Sequence, residues 1–176
     1  MNLIVASTKD IAGMNIAQKI IDHYKFEKLQ ETFQKNPTYT KTIQNQETKL
    51  LYINEEIINT QNITDFFTPN LLIFVSKHSS QSGIPTLSVH TPGNLAQAEL
   101  GGIPKKVSIS PANAMKNALL EMAKLKEKTK LNYDVSYEGT HHGPSLDVPT
   151  MFTELGSSPT QWKDTKAAEI VAHATI

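Results

Sequence analysis

Short apolar runs alternate along the chain with stretches in which apolar residues recur at helical spacing. The opening run, residues 3–6 (LIVA), contains no polar residue, which is typical of a strand buried on both faces. The same reading predicts strands at 50–54, 70–78, 86–90, 132–138 and 149–156. Residues 25–48 are polar with weak strand signals, and the small and helix-breaking residues of 79–85 predict a loop.

Three helices are predicted between and after these strands. Asp10 is placed to cap the first, whose apolar stripe is Met14, Ala17, Ile21 and Tyr24. The clearest helix spans 108–128, with Ser110 as N-cap, Pro111 at the first helical position, and a buried stripe of Met115, Ala118, Leu119, Met122 and Leu125. From Ser158 onward the pattern predicts one helix with Ala167, Ile170, Val171 and Ala174 on one face.

Strands that alternate with helices predict an α/β fold with a mixed, largely parallel sheet flanked by helices. The chain has 176 residues and shows no internal repeat or linker, so we expect a single domain over 1–176. A chain of this length buries roughly 70% of its unfolded surface, which is enough for a real core.

The charge balance limits how the chain could bind a nucleic acid. Formal net charge is zero, and all 17 basic residues are lysines. Without arginine, phosphate groups would have to be met by local lysine clusters, for which the candidates are Lys105, Lys106, Lys124, Lys126, Lys128, Lys163 and Lys166. The absence of cysteine excludes disulfides, thiolate metal sites and a cysteine nucleophile, and suits a cytoplasmic protein. No segment has the length of a signal peptide or a membrane span.

Four of the six histidines lie in three loops that each follow a predicted strand. His78 follows 70–78, His90 ends 86–90, and the stretch EGTHHGP carries Glu138, His141 and His142. Because the carboxyl ends of parallel strands share one edge of a sheet, we expect these side chains to converge in one crevice.

Imidazole and carboxylate groups are the ligands that zinc takes when thiolate is absent, and a catalytic zinc needs about three of them. A histidine or Glu138 could instead deprotonate water without a metal. Adjacent histidines in an extended segment point to opposite sides, so only one of His141 and His142 is expected to bind a metal unless the turn rotates them together. The serines at 79–82 lack the GxSxG elbow of a serine hydrolase.

The succession SKHSSQSGIPTLSVHTPGN, SPANAMKNAL, SYEGTHHGPSLDVPTMFTELGSS and QW resembles the archaeal-type D-aminoacyl-tRNA deacylases, a family shared by archaea and plants. The resemblance implies a phosphorylase/hydrolase-like α/β fold and a zinc requirement. It implies hydrolysis of the ester between a D-amino acid and the terminal adenosine of tRNA. Members of the family continue well beyond the tryptophan helix, so we expect this chain to be C-terminally truncated relative to them.

The matching motifs supply the candidate site. As catalytic residues we assign Glu138, His141 and His142, and as zinc ligands His78, His90, His141, His142 and Glu138. For substrate binding we assign Ser82, Gly83, Pro85, Asn94, Gly143, Pro144 and Glu154. Backbone N–H groups of SGIP (82–85) or HHGP (141–144) are candidates for binding the oxyanion or the 3′-adenosine. The lysines at 105–106 and 124–130 would meet acceptor-stem phosphates of a D-aminoacyl-tRNA, and we expect a monomer without membrane contact.

Two other interpretations remain open at this stage. One is a zinc-dependent or phosphorylase-like hydrolase of a small nucleoside or amide, which would share the histidine crevice but not depend on the tRNA body. The other is a non-catalytic RNA-binding fragment. Such modules usually combine aromatic stacking platforms with basic residues, and the aromatic residues here lie mostly at apparent core positions.

Overall fold

One eight-stranded sheet organises the computed structural model, which describes residues 1–176. In chain order its strands are β1 (Asn2–Ser7), β2 (Glu27–Phe33), β3 (Asn36–Ile43), β4 (Gln46–Ile53), β5 (Leu71–Lys77), β6 (Thr86–His90), β7 (Asp134–Tyr137) and β8 (Thr150–Gly156). Across the sheet they run β2-β3-β4-β1-β5-β8-β6-β7. The helices are α1 (Ile11–Tyr24), α2 (Ala112–Thr129), α3 (Pro159–Trp162) and α4 (Thr165–Thr175). Short 3₁₀ turns occupy Ile57–Asn59 and Ile63–Asp65.

The sheet is mixed, as the sequence predicts. The pairs β1–β4, β1–β5, β5–β8 and β6–β7 are parallel, whereas β2–β3, β3–β4 and β6–β8 are antiparallel. Strands β6 and β7 therefore run opposite to β5 and β8. The expectation that the three histidine loops meet because their strands end at one common edge is wrong, and their meeting needs another explanation.

The two faces of the sheet bury different partners. One face packs on α1, α2 and α4, with Met151 and Leu155 of β8 in its core. The opposite face is covered by the 3₁₀ turns and the segment around Leu146, and its core includes Phe74 and Phe152. Because side chains alternate along a strand, Glu154 of β8 lies on the same face as Phe152. The helices thus cover one side, and the polar chemistry of β8 faces the other.

Helix α1 begins at Asp10, as the sequence predicts. The Asp10 carboxylate accepts a hydrogen bond from Gly13 N–H through Oδ1 (2.9 Å) and from Lys77 N–H through Oδ2 (2.9 Å). It therefore caps the helix and fastens it to the last residue of β5, one residue before His78. The predicted stripe is wrong at Met14, which is exposed, because the buried face of the helix is Ala12, Gly13, Ile16, Ala17 and Ile20.

Residues 25–48 form more regular structure than their sequence indicates. Strands β2 and β3 and the start of β4 build an antiparallel meander. Its two tight turns, at 34–35 and 44–45, place all four residues at positive φ (47° to 66°). None of these residues is glycine, so the usual sequence signal for such turns is absent.

Two helix boundaries differ from the prediction. Helix α2 begins at Ala112 with Pro111 as its N-cap, because the hydroxyl of Ser110 accepts a hydrogen bond from Thr91 Oγ1 (2.9 Å) instead of capping the helix. The C-terminal segment forms two helices, since Asp164 stops the first and caps the second through Lys166 N–H and Ala167 N–H. No helix of the structure combines the length and apolar character needed to cross a lipid bilayer.

Replacing Asp10 by alanine removes both the helix cap and the anchor of the Lys77 N–H group. We expect Asp10→Ala to lower the free energy of unfolding by about 1–2 kcal/mol, measured by urea denaturation. Asp10→Asn keeps an oxygen acceptor and serves as the matched control, with a smaller loss. Equal losses in the two variants would show that hydrogen bonding is not what Asp10 contributes.

Candidate active site

A buried carboxylate lies at the centre of the site. Glu154, in the middle of β8, is 3% exposed, and its Oε1 accepts a hydrogen bond from Ser76 Oγ on β5 (2.6 Å). His78 Nδ1 lies 3.7 Å from Glu154 Oε2, and His90 Nε2 lies 3.8 Å from Oε1. Glu154 therefore links residues from the two strands that flank β8.

Hydrogen bonds of the His78 backbone position this residue, in addition to the contacts of its ring. Its N–H donates to Leu155 O (3.0 Å), and its carbonyl oxygen accepts from the indole Nε1 of Trp162 (2.8 Å). A Cβ atom at Gly156 would lie 2.5 Å from His78 O, so only glycine permits this approach. The ring then places Nδ1 3.1 Å from Glu138 Oε1, beside Glu154.

His78, Glu138 and Glu154 form a first group of side chains, whose charges follow from their pairing. Hydrogen bonds and charges from Glu138 first and then Glu154 raise the pKa of His78 to about 10. Burial, the largest single influence, would raise the pKa of both carboxyl groups, but several groups together outweigh it. His78 and Ser88 lower the pKa of Glu138, and His78, His90 and Ser76 lower the pKa of Glu154. At neutral pH the group is an imidazolium between two carboxylates.

A second group consists of His90, His141 and His142. Their donor atoms all lie within 4.8 Å of one another. The rings of His90 and His141 stack at 4.4 Å between centroids, and His142 stands edge-on to both. Each Nδ1 faces a backbone carbonyl oxygen: Gly139 O for His141 (2.8 Å), Gly143 O for His142 (2.8 Å), and Thr91 O for His90 (3.4 Å). This arrangement leaves Nε2 of each ring available as a ligand.

The adjacent histidines point the same way because the turn rotates them. His142 has φ 45°, in the left-handed region, so the alternation of an extended segment does not apply. This conformation is fastened from outside the turn: Gly93 N–H donates to His142 O (2.7 Å), and Gly143 N–H donates to Leu100 O (2.9 Å). The peptide bond between Gly143 and Pro144 is cis.

The protonation of the three rings differs. Burial, followed by the charge on His90, lowers the pKa of His142 to about 4, so this ring is neutral at physiological pH. Burial also disfavours the charged form of His90, but Glu154 outweighs it, so the pKa of His90 is raised. His90 is fully buried, and its Nε2 has no hydrogen-bond partner. A bound ion would explain why this buried nitrogen lacks a hydrogen-bond partner.

A cleft of about 440 Å³ is lined by side chains from both groups. Its walls include His78, His141, His142, Ser76 and Glu154, together with Asp10, Glu56, Ile57, Ile58, Lys77, Ser79, Leu100 and Phe152. A smaller hollow of about 240 Å³ adjoins it and shares Leu100, His141 and His142. The two histidines of the turn therefore stand between two spaces that a substrate could occupy.

Several predicted substrate-binding residues have structural roles instead. Gly143 packs against Gly102 N and Ile58 O, which a Cβ atom would approach to 2.3–2.4 Å. Pro144 O accepts from Ser108 Oγ (3.2 Å), and neither residue lines the cleft. Asn94 lines only the smaller hollow, and its side-chain amide is tied to Gly101 O (2.9 Å). Glu154 lies at the floor of the cleft, where it is bonded to Ser76 Oγ, and its assignment as a substrate contact stays a prediction.

The SGIP segment also differs from its predicted role. Ser82 and Gly83 are exposed, and neither they nor Pro85 line the cleft. Internal hydrogen bonds occupy the backbone N–H groups of residues 82–84, with Ser80 O, Ser80 Oγ and Ser82 Oγ as acceptors. In the HHGP segment, Gly143 N–H is bonded to Leu100 O as well.

The predicted lysine contacts separate into two sets. Lys124, Lys126 and Lys128 lie on α2, which packs on the face of the sheet opposite to Glu154, so they are on the wrong side for phosphates near the cleft. Lys105 and Lys106 lie on the segment that follows Leu100, although Lys106 is paired with Asp147 (2.7 Å). Lys77, which the sequence analysis did not select, lines the cleft. Asp10 and Ser76 were missed as well, because a strand residue or a helix cap carries no motif.

The architecture is that of a mixed α/β domain. The fold matches the 5′-methylthioadenosine/S-adenosylhomocysteine nucleosidase of Helicobacter pylori with a TM-score of 0.61 over 99% of this chain and 96% of that one, at 11% identity. A solved structure described as a conserved protein of unknown function matches with a TM-score of 0.86 at 30% identity, over 99% of this chain and 61% of the other.

The chain belongs to the D-aminoacyl-tRNA deacylase family, whose model matches residues 65–176. Curated relatives with that name include those of Thermococcus onnurineus, 36% identical over 98% of this chain, and Pyrococcus abyssi, 37% identical over 100%. The chain covers 63% and 65% of the lengths of these two relatives. The family resemblance seen in the sequence motifs is thereby confirmed.

Removing His78 would leave two neighbouring carboxylates without their shared cation. We expect His78→Ala to lower the free energy of unfolding by about 3–5 kcal/mol, measured by urea denaturation with chelator present. The double variant His78→Ala/Glu154→Gln should recover part of the loss, because it removes one of the two charges. His23→Ala, at an exposed histidine, is the control. A loss in His78→Ala no larger than in the control would refute the ion-pair account.

Proposed function

We propose that this chain hydrolyses the ester of D-aminoacyl-tRNA to free D-amino acid and tRNA. The observation that carries the proposal is a cleft of about 440 Å³, walled by His141 and His142, with Glu138 held behind them by His78, in a chain of this family. Ester hydrolysis needs an activated water, a group that stabilises the oxyanion and space for the acyl group. A tRNA substrate would place the enzyme in the cytoplasm.

Glu138 is the candidate general base. Its Oε1 faces His78 Nδ1 (3.1 Å), and its Oε2 lies 3.9 Å from His141 Nε2, at the edge of the histidine group. Its lowered pKa keeps the carboxylate ionised at neutral pH, so it can accept a hydrogen bond from water, but it also makes Glu138 a weaker base than a carboxylate of ordinary pKa. His78, as an imidazolium, would orient Glu138 and compensate the charge of Glu154.

The donor set of His90, His141 and His142 fits a zinc ion. Three histidines are a known set for catalytic zinc. The backbone carbonyl partners of Nδ1 fix the rings, and the unpartnered Nε2 of buried His90 is the specific observation in favour of an ion. Zinc held there would supply a Lewis acid that polarises the ester carbonyl and acidifies water. In this assignment His78 and Glu138 are not ligands, because their donors cluster with Glu154 as a separate set.

Few positively charged side chains lie where they could contact the tRNA. Lys77 lines the cleft, and Lys105 is exposed on the segment after Leu100, so both are candidates for phosphates near the 3′ end. With zero net charge and no arginine, electrostatic attraction to the tRNA body is limited. Recognition would therefore rest mainly on the amino acid and the terminal nucleotide.

The direct test is the release of D-tyrosine from D-Tyr-tRNA, compared with release from L-Tyr-tRNA. We expect hydrolysis of the D-ester, loss of activity with chelator, and recovery on addition of zinc. Activity insensitive to chelator would keep the deacylase proposal but remove zinc from it. Absence of hydrolysis with either ester, even with zinc added, would contradict the proposal for this chain.

Replacing the carboxylate of Glu138 by an amide keeps its shape and removes its basicity. We expect Glu138→Gln to reduce kcat for D-Tyr-tRNA by roughly 10²–10⁴-fold with little change in KM. Glu127→Gln, at an exposed position of α2, is the matched control and should retain full activity. A rise in KM with kcat unchanged would assign Glu138 to substrate binding instead.

A further inference from the structure

A second group of metal-binding side chains lies away from the cleft. His23 is in the last turn of α1, and Glu169 and His173 are on α4. Both helices pack on the face of the sheet opposite to Glu154. The donor atoms of the three residues all lie within 4.8 Å of one another. We propose that His23, Glu169 and His173 form a second binding site for a divalent transition metal ion, with zinc as the ion best suited to two imidazoles and one carboxylate.

The three side chains are brought together by helix geometry. Glu169 and His173 are four residues apart on α4, so they share one face, and His173 Nε2 lies 4.0 Å from Glu169 Oε1. Helix α1 packs against α4 and brings the His23 ring to 4.2 Å from the His173 ring, at an interplanar angle of 85°. Rotamer adjustments of the two exposed side chains, His23 and Glu169, would bring the donors to bonding distance of one ion.

Tyr24 supplies the outer contact that metal-ligating histidines usually have. Its hydroxyl lies 2.8 Å from His173 Nδ1, on the far side of the ring from Glu169. A hydroxyl can accept a hydrogen bond from Nδ1–H, which leaves the lone pair of Nε2 for the ion. The ring is thus oriented before any ion binds.

The electrostatic setting also favours a cation. His23 lies in the last turn of α1, where the backbone carries partial negative charge. A bound ion would join the ends of α1 and α4, and it would act on stability rather than on the reaction.

Zn²⁺ alone is the probe that tests the proposal. Metal-free protein is titrated with Zn²⁺ by calorimetry in the wild type, in His23→Gln, and in the His141→Ala/His142→Ala variant that removes the cleft set. We expect His141→Ala/His142→Ala to retain one equivalent of Zn²⁺, and addition of His23→Gln to that variant to abolish it. This background makes the result independent of zinc in the cleft and of any deacylase activity.

Two further variants distinguish ligation from general attraction. Tyr24→Phe, which keeps the ring and removes the hydroxyl, should weaken Zn²⁺ binding at this site by roughly ten- to a hundredfold. Glu169→Gln should weaken it as well, whereas the control Glu127→Gln should not. Zn²⁺ should raise the melting temperature of His141→Ala/His142→Ala but not of the variant that also carries His23→Gln. Zn²⁺ binding that is unchanged by His23→Gln in this background, or that does not occur in it at all, would overturn the proposal.

Discussion

The buried carboxylate of Glu154 is the constraint on which the site depends. An ionised carboxylate at 3% exposure is stable only where cations and donors surround it. Ser76 on β5 supplies a donor and His78 just after β5 a cation, while His90 at the end of β6 places its Nε2 3.8 Å from the carboxylate. Strands β5, β8 and β6 must therefore keep their register. In that register, Ser76 of β5 and Ser88 of β6 are the residues opposite Glu154, at the level of the cleft. The helices are free to build the hydrophobic core on the other face.

This charge arrangement separates two kinds of histidine within one cluster. His78 is an imidazolium because two carboxylates share it, whereas burial keeps His142 neutral. A general base must be ionised, and a histidine that binds a metal must be neutral at the ligating nitrogen. The structure places these requirements in adjacent groups that meet where Glu138 Oε2 approaches His141 Nε2. His90 belongs to the second group although Glu154 raises its pKa, so a metal bound there would have to displace the proton that Glu154 favours on His90.

The sequence predicted the central strands because apolar runs are a local signal. It also predicted the convergence of four histidines, but from strands that end at one common edge, which is not how β6 and β7 run. It did not predict the direction of β6, since strand orientation depends on the path of the connections and not on residue pattern. It missed the turn at 34–35 because neither residue is glycine, and it did not show that Glu154 is buried, because burial cannot be read from TELGS. The lysines of α2 were assigned to the wrong face for the same reason: sequence clustering carries no information on which side of the sheet a helix packs.

The reversed direction of β6 explains how the site is assembled at all. Since β6 is antiparallel to β8, His90 pairs with Phe152 in the middle of β8 and lies beside Glu154, not beyond the strand ends. The turn of His141 and His142 is then placed over it by contacts with Gly93 and Leu100, which are far away in sequence. A left-handed His142 is not a local preference of the chain, so the three imidazoles can meet only in the folded protein. Metal binding by this set would therefore be coupled to folding, and an ion that binds only the native arrangement must stabilise it.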